Sequence, residues 1–241
     1  MTRFRLIQAR TADEVVGPEE HQSFADHMGV PVDCIETISA LGGDLTFDAV
    51  TRDVDAVLVG GSGKYSVTDS APWLPNFFSV LKDLADADFP TFASCFGFQG
   101  LCMALDAPVQ TDPDGSEVGT YALHPTPDAK DDPVFNALPQ RFLAQEGHKD
   151  RAIRLPEGAV WLARSERCPY QAMRLGKNVY ATQFHPELSG AANLRRFKQY
   201  FNEYKKAFGS EEAQRILDAF HDSPESTDLL RRFRIRVDQT R

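Results

Sequence analysis

The sequence has no long apolar run, and no segment approaches the roughly 18 consecutive apolar residues that a membrane helix needs. Its first residues form a strand-like segment, without the apolar stretch and small-residue cleavage site of a signal peptide. Cysteine is scarce, and the four present form no CxxC pair and have no histidine nearby at metal-ligand spacing. We therefore expect a cytoplasmic protein with free thiols, no bound metal and no membrane contact.

Positive charge is also in short supply, because 26 Lys and Arg face 35 Asp and Glu, a formal net charge of −9. An acidic surface repels a phosphate backbone, so no nucleic-acid partner is expected. Basic residues cluster only in the last eleven positions, at Arg231, Arg232, Arg234, Arg236 and Arg241. This cluster is compatible with a docking tail, but the solvent-facing side of a terminal helix or strand is the favoured interpretation.

The first half of the chain alternates strand-like and helix-like segments. Short apolar runs predict strands at 4–9, 32–38, 54–59 and 90–94, and apolar residues at helical spacing predict helices at 19–28, 73–86 and 98–105. The run at 54–59 ends abruptly at two glycines, as a central parallel strand does. This rhythm predicts an α/β fold with a doubly wound, parallel sheet.

The second half changes texture. Short strands are predicted at 118–123, 151–155, 160–164, 171–175 and 179–184, followed by an amphipathic helix at 191–208. Residues 211–241 add a helical segment, a break at Pro224 and the basic end. We divide the chain into a domain over 1–208 and a helical C-terminal extension over 209–241. The extension is expected to pack on the core, since Phe220, Leu229 and Phe233 would otherwise be exposed, although contact with another subunit stays open.

A cysteine lies at the end of one predicted strand. Cys95 follows the apolar segment 90–94 and precedes a helix, and a nucleophile on such a turn projects from the carboxyl edge of the sheet. The small residues Ala93, Ser94 and Gly97 fit the tight backbone there, and the helix N-terminus favours a thiolate. On these features alone a buried structural cysteine is an equally good interpretation. The other three cysteines lack the turn.

A histidine and a glutamate follow a later strand, in Gln183-Phe184-His185-Pro186-Glu187. Because side chains alternate along a strand, His185 and Glu187 lie on one side while Phe184 faces the core. Pro186 cannot donate to a strand ladder, so the strand ends there. Alone, a His-Pro-Glu tripeptide is more often a turn than a functional site. Together with Cys95 it predicts a nucleophile, a base and an orienting carboxylate.

A glycine-rich loop, Gly60-Gly61-Ser62-Gly63, follows another buried strand. Glycine lets backbone amides approach a substrate closely, so an amide near Gly61 and that of Phe96 are candidates for an oxyanion hole. A phosphate-binding loop is the rival interpretation. The GxxxxGK[ST] pattern is absent, however, and Lys64 follows the glycines too closely.

The order of these segments matches a known family. The stretch Phe-Ala-Ser-Cys-Phe-Gly-Phe-Gln-Gly-Leu at 92–101 resembles the nucleophile motif of class I glutamine amidotransferases, and 183–187 resembles their distal motif. The glycine loop with Tyr65-Ser66-Val67 resembles their oxyanion-strand motif, and 117–119 and 147–150 lie where they carry related segments. The likeness spans about residues 4–205. It is closest to the stand-alone, GMP-synthase-like amidotransferase domain.

The resemblance implies a flavodoxin-like, three-layer α/β/α sandwich with a central, mostly parallel sheet. It implies Cys95 as nucleophile, His185 as general base and acid, and Glu187 as orienting carboxylate. Gly61 and Phe96 would donate the oxyanion amides, and the implied substrate-binding residues are Gly60, Ser62, Gln99 and His148. The implied reaction releases ammonia from glutamine through a γ-glutamyl thioester, with no cofactor and no metal.

Two residues depart from the family pattern. Ala93 stands where the family usually has glycine, so the turn must accommodate a methyl group, and Phe98 stands where it often has histidine. Neither change removes a catalytic group.

No ATP-pyrophosphatase signature of the Ser-Gly-Gly-Val-Asp-Ser type occurs. We therefore expect any ammonia acceptor to lie on another polypeptide, such as a synthetase subunit. Two alternative functions remain open: a γ-glutamyl peptidase or hydrolase, and a non-catalytic regulatory subunit of the same fold. A homodimer is also left open.

Overall fold

The computed structural model describes residues 1–240, except for the side chains of Glu203, Ala207 and Phe208. Arg241, the last member of the predicted basic cluster, lies outside the described residues. The α-helices are α1 (Val16–Met28), α2 (Phe47–Thr51), α3 (Leu74–Asp86), α4 (Phe96–Ala104), α5 (Gly190–Gln199), α6 (Phe201–Phe208), α7 (Ser210–Leu217) and α8 (Pro224–Thr240). The strands are β1 (Phe4–Gln8), β2 (Ile35–Ser39), β3 (Ala56–Val59), β4 (Thr91–Ser94), β5 (Val109–Thr111), β6 (Glu117–Pro125), β7 (Phe142–His148), β8 (Asp150–Ala152), β9 (Val160–Arg164), β10 (Ala172–Leu175) and β11 (Val179–Thr182).

A nine-stranded sheet forms the centre of the molecule, in the order β2-β1-β3-β4-β11-β10-β9-β6-β7. The strands from β2 to β11 in this order pair in parallel, and the remaining pairings are antiparallel. Strands β5 and β8 form a separate two-stranded sheet. The predicted α/β class is confirmed. Parallel pairing brings the carboxyl ends of β3, β4 and β11 to one edge of the sheet.

Helices cover both faces of this sheet, because successive strand residues point to opposite sides. On one face, Phe77 and Leu81 of α3 pack with Ala93 of β4 in an apolar core. On the other face, Phe24 of α1 and Phe233 of α8 pack with Phe92 of β4. The expected three-layer sandwich is therefore present. Within residues 1–240, no helix is long and apolar enough to cross a membrane.

Several boundaries differ from the predicted ones. The segment 32–38 begins with a 3₁₀ turn (Val32–Cys34) after Pro31, and only then enters β2. Strand β7 was not predicted, although its Phe142 and Ala144 alternate with a less buried Leu143. The helix predicted over 191–208 is interrupted at Tyr200, between α5 and α6. Tyr200 is 40 % exposed and has φ −107°, so the break reorients the chain at the surface.

The C-terminal helix α8 completes one outer layer. The predicted break lies between α7 and α8, and Pro224 takes the first turn of α8, where proline is tolerated because its missing N–H has no intrahelical acceptor. Leu229, Leu230, Phe233 and Val237 are all buried in the core. Among the arginines of α8, Arg231 and Arg232 pair with Asp228, Arg234 pairs with Asp238, and Arg236 donates to the Lys177 carbonyl. Within the described residues, the extension packs on the core rather than projecting as a docking tail.

This packing predicts a large loss of stability when Phe233 is truncated. Its ring contacts Phe92 and Tyr180 edge-on, with centroids 5.5 Å and 6.0 Å away. Phe233→Ala is expected to lower the free energy of unfolding by about 3–5 kcal/mol, measured by denaturant unfolding. Gln239→Ala, at an exposed position of the same helix, is the control and should change it by less than about 0.5 kcal/mol. Equal effects would show that α8 lies outside the cooperative core.

Candidate active site

Cys95 forms the turn between β4 and α4. Its φ of 48° and ψ of −98° lie in a region that residues with a side chain rarely adopt, and such strain often marks a functional position. The neighbouring helix packs tightly, because a Cβ on Gly97 would lie 2.9 Å from the Val59 side chain and 3.0 Å from the Cβ of Ala93. The methyl group of Ala93 therefore fits because Gly97 has none. The other departure, Phe98, is buried in the apolar core.

His185 and Glu187 follow β11, the strand paired in parallel with β4. Thr182 lies opposite Ser94, and the Thr182 carbonyl accepts a 2.7 Å hydrogen bond from the Cys95 amide, which joins the two strand ends. The imidazole Nδ1 of His185 lies 2.6 Å from Oε1 of Glu187. This contact leaves Nε2 as the nitrogen available to a thiol. All three side chains are buried or nearly so.

The electrostatics of this group favour a charged imidazole. Burial alone would lower the pKa of His185, but the charges of Glu187 and Cys95 and hydrogen bonds to both raise it to about 10. Burial would likewise raise the pKa of Glu187, yet the charge of His185, its hydrogen bond and the nearby Arg196 hold that pKa below its usual value. At neutral pH the arrangement is therefore a carboxylate bound to an imidazolium beside the Cys95 sulfur.

Gly61 lies against this group from the end of β3. A Cβ added to Gly61 would lie 2.7 Å from Cε1 of His185 and 3.8 Å from Cβ of Cys95. The backbone of the loop therefore approaches the catalytic side chains more closely than any other residue would allow. The amide of Phe96 is the first of α4 and so has no carbonyl acceptor within its own helix. The role of these two amides in an oxyanion hole stays a prediction.

The profile of the family described as Glutamine amidotransferase class-I matches residues 36–203, more than half of the chain. The chain belongs to the class I glutamine amidotransferase family. The match includes Cys95, His185 and Glu187 and ends before α7 and α8.

Curated relatives carry names of one kind. The chain is 30% identical over 151 residues to a glutamine-hydrolyzing GMP synthase of Thermosipho africanus, covering 60% of this chain but only 27% of that protein. It is 32% identical over 124 residues to one subunit of the glutamine-hydrolyzing GMP synthase of Methanocaldococcus jannaschii. This alignment covers 51% of this chain and 60% of that subunit. The corresponding subunit from Archaeoglobus fulgidus is 30% identical over 138 residues, which cover 57% of this chain and 68% of that protein. The aligned part thus spans about a quarter of the full-length synthase.

Solved structures share the fold over nearly the whole chain. A glutamine amidotransferase from Thermotoga maritima superposes with a TM-score of 0.73 at 21% identity, covering 98% of this chain and 97% of its own. A protein from Thermoplasma acidophilum, described as a GMP synthase subunit, superposes with a TM-score of 0.70 at 17% identity, covering 100% of this chain and 96% of its own. At these identities the likeness establishes the architecture of an amidotransferase and nothing finer.

The predicted substrate-binding residues of this amidotransferase occupy different places. Ser62 Oγ donates to the Ala9 carbonyl and accepts from the Tyr65 amide, so it fixes the glycine loop. Gln99 Nε2 donates to the Asp150 carbonyl at 2.9 Å, behind the nucleophile turn. A Cβ on Gly60 would meet the carboxylate of Glu20 at 2.7 Å. These three residues contact other parts of the protein around the glycine loop and the nucleophile helix. Their contact with a substrate stays a prediction.

The fourth predicted substrate-binding residue, His148, lies in a second buried polar group. Its Nε2 lies 3.3 Å from Oε2 of Glu117 and 3.5 Å from Oε2 of Glu146. Cys168 completes the group, and burial together with the two carboxylates raises its pKa to about 12. Burial and the charge of Glu117 also hold the pKa of Glu146 well above its usual value. Sequence reasoning assigned His148 alone and missed this cluster.

Two further contacts near the nucleophile were not predicted. Gln183 Nε2 lies 3.7 Å from the Cys95 sulfur, and a glutamine two residues before His185 at a strand end was the available signal. Arg10 pairs with the fully buried Glu20 at 2.8 Å. Because Glu20 also lies against Gly60, this ion pair supports the glycine loop. No local sequence pattern points to that role.

Removing the carboxylate partner of His185 should change how the imidazole titrates. In Glu187→Gln the pKa of His185 is expected to fall. Burial still disfavours the charged imidazole, while the negative charge of Glu187 that stabilised it is gone. The raised pKa means that the charged imidazole contributes stability fully below about pH 6.5 and that this stability is lost as pH rises through about 10. The variant should show a smaller loss of stability across that window. NMR titration of the imidazole protons and unfolding at several pH values measure both effects. An unchanged His185 pKa would contradict the assigned pairing.

Proposed function

We propose that this chain hydrolyses the side-chain amide of glutamine, with Cys95 as nucleophile, His185 as general base and acid and Glu187 as orienting carboxylate. The observation that supports this most directly is the junction of β4 and β11. There the Cys95 thiol, on a strained turn, hydrogen-bonds to the His185 imidazole, whose Nδ1 contacts the buried carboxylate of Glu187. This is the relation of nucleophile, base and orienter that cysteine hydrolases use.

The reaction proceeds in two stages. The Cys95 sulfur attacks the amide carbon, and the carbonyl oxygen takes up negative charge that the amides of Gly61 and Phe96 stabilise. His185 transfers its proton to the departing nitrogen, which leaves as ammonia, and a γ-glutamyl thioester remains on Cys95. A water molecule then gives a proton to His185 and attacks the thioester, which releases glutamate and restores the thiolate and imidazolium.

We place Gly60, Ser62, Gln99 and His148 in supporting roles around the substrate. Ser62 and Gly60 set the path of the glycine loop, and Gln99 ties the nucleophile helix to β8 through the Asp150 carbonyl. His148 acts through strand β7, which contacts His185. A Cβ on the neighbouring Gly147 would lie 3.6 Å from Nε2 of His185.

The ammonia is proposed to reach an acceptor bound by a partner synthetase subunit. Support comes from the relatives that are named as one subunit of a GMP synthase, a name that implies at least one further subunit in those proteins. In this proposal residues 1–208 carry the chemistry. Residues 209–241 are an addition that completes the outer layer through α8.

A glutamine analogue with an electrophilic carbon at the γ position tests this proposal directly. We expect one adduct per chain, on the peptide that contains Cys95, and we expect glutamine to protect against it. Cys34, which is partly exposed, provides the internal control: a general thiol reagent should modify it, but the analogue should not. Mass spectrometry of the digested protein measures both.

Ammonia and glutamate should also form from glutamine in equal amounts. γ-Glutamyl amides tested in parallel distinguish the alternative of a γ-glutamyl hydrolase, which would prefer them to glutamine. Absence of both the adduct and ammonia release, with and without cell extract, would contradict an enzymatic role.

A further inference from the structure

The buried polar group formed by Glu117, Glu146, His148 and Cys168 takes no part in the bond-making steps of the proposed hydrolysis, and only His148 has a supporting role there. Glu117 begins β6, Glu146 and His148 lie in β7, and Cys168 belongs to the loop before β10. The four side chains come from three segments that are separated in sequence and joined by the antiparallel half of the sheet. Each side chain is at most 3% exposed.

The distances within this group suit a metal ion. One donor atom each from Glu117, His148 and Cys168 lies within 4.8 Å of the others. In a tetrahedral zinc site, bonds of about 2.0–2.3 Å place neighbouring donor atoms roughly 3.3–3.7 Å apart. His148 Nε2 already lies 3.3 Å from the Glu117 oxygen and 3.5 Å from the Glu146 oxygen.

Hydrogen bonds within the protein do not satisfy this group. Among the described residues, no hydrogen-bond partner is found for either carboxylate oxygen of Glu146, for Oε1 of Glu117 or for Nδ1 of His148, although His148 Nε2 lies 3.5 Å from Oε2 of Glu146. The other oxygen of Glu117, Oε2, accepts a hydrogen bond from the side-chain amide of Gln171. Buried carboxylates without partners are costly, and they are normally paired with cations or bound to metals.

We propose that Glu117, His148 and Cys168 bind a divalent transition-metal ion, with Glu146 as fourth ligand. A thiolate, an imidazole and carboxylate oxygens are the donor set that zinc takes in proteins, and the absence of solvent contact is typical of a closed, structural zinc site. Binding displaces the thiol proton of Cys168 to solvent, because only the thiolate is a ligand.

The ion would act on the active site through β7. Gly147 lies between two of the proposed ligands, and its backbone lies against the His185 ring. The amide of His185 also donates to the carbonyl of Gln145 in the same strand. An ion that fixes Glu146 and His148 would therefore hold the strand that positions the catalytic imidazole. This is a positioning role, separate from the hydrolysis proposed above.

Cobalt is the probe for this site, because a thiolate bound to Co²⁺ gives a strong charge-transfer absorption in the near ultraviolet. Cys95 and His185 are themselves a thiol and an imidazole, so the test uses a full-length chain with Cys95→Ala and Cys34→Ser. This double variant is refolded with Co²⁺ or Zn²⁺, freed of loose metal by gel filtration and analysed by elemental mass spectrometry. We expect about one ion per chain and the charge-transfer band.

Matched cysteine variants assign the band. Adding Cys168→Ser should remove it, and His148→Gln should weaken retention of the ion at least about tenfold. Cys102→Ser, at another buried thiol, should leave the band unchanged. Zinc should also raise the unfolding temperature of the double variant, and a chelator present during refolding should lower it.

The double variant alone decides the proposal if a substitution prevents folding. Refolded double variant that retains no metal and shows no band overturns the metal site. A band that survives Cys168→Ser in folded protein overturns the ligand assignment. Neither result bears on glutamine hydrolysis, because no readout depends on turnover.

Discussion

Cys95→Ala is expected to abolish glutamine hydrolysis, with a fall in kcat of at least about 10⁴-fold. The thiol is the atom that bonds to the substrate, and no other side chain on the turn can replace it. The fold should persist, because alanine removes only one sulfur atom and keeps the Cβ at the turn. Ammonia release measures the activity, and circular dichroism with thermal unfolding measures the fold.

Cys102→Ala is the matched control for this experiment. Cys102 lies in α4, seven residues after the nucleophile, and burial raises the pKa of its thiol far above the usual range. It therefore stays a neutral thiol in the apolar core, and its loss should leave kcat close to that of the parent. If both variants lost activity equally, Cys95 would not be the nucleophile.

The parallel half of the fold could be predicted because its signals are local. The strand, the turn and the helix around Cys95 lie within a few consecutive residues, and so do His185 and Glu187. The chemistry of the two segments predicted that they act together, and the parallel pairing of β4 with β11 brings their ends to one edge of the sheet. The compensation between Ala93 and Gly97 could not be predicted, because it depends on how closely α4 packs against β3.

The antiparallel half was predicted less well, because its pairing joins distant segments. Strand β7 was missed, since its run from Gln145 to His148 is polar although nearly all of it is buried. The side chains of Glu117 and Cys168 are brought beside His148 only when β6, β7 and the loop before β10 assemble. Residue spacing therefore excluded a metal site that the folded structure supports on distance and burial.

The helix α8 shows a related limit. Its apolar residues predicted that the extension packs on the core, and they do pack there. The break predicted at Pro224 is present, since α7 ends at Leu217 and α8 begins at Pro224. The sequence did not show that Pro224 itself would occupy the first turn of a new helix, a position that proline tolerates.

The second large effect is expected for Gly61→Ala, which should lower kcat by on the order of 10³-fold. The added methyl would lie 2.7 Å from Cε1 of His185, closer than carbon atoms can approach without movement. The imidazole cannot easily yield, because Glu187 holds its Nδ1 at 2.6 Å and Gly147 lies close to its other nitrogen. Either the imidazole moves away from Cys95 or the Gly61 amide leaves the oxyanion position.

Gly63→Ala in the same loop separates this steric effect from a general loss of loop flexibility. A Cβ at Gly63 would have only ordinary contacts, with its nearest neighbours in Arg10 and Tyr200 at 3.9 Å, so activity should stay near that of the parent. Reaction of Cys95 with a small, uncharged thiol reagent distinguishes the two ways in which Gly61→Ala can fail. If the imidazole has moved, reaction at Cys95 slows even with a small, uncharged thiol reagent. If only the oxyanion amide has moved, that reagent still reacts at the parent rate while glutamine turnover is lost. Full activity in Gly61→Ala would show that the loop has room for a methyl group, and the predicted displacement of His185 or of the Gly61 amide would then be wrong.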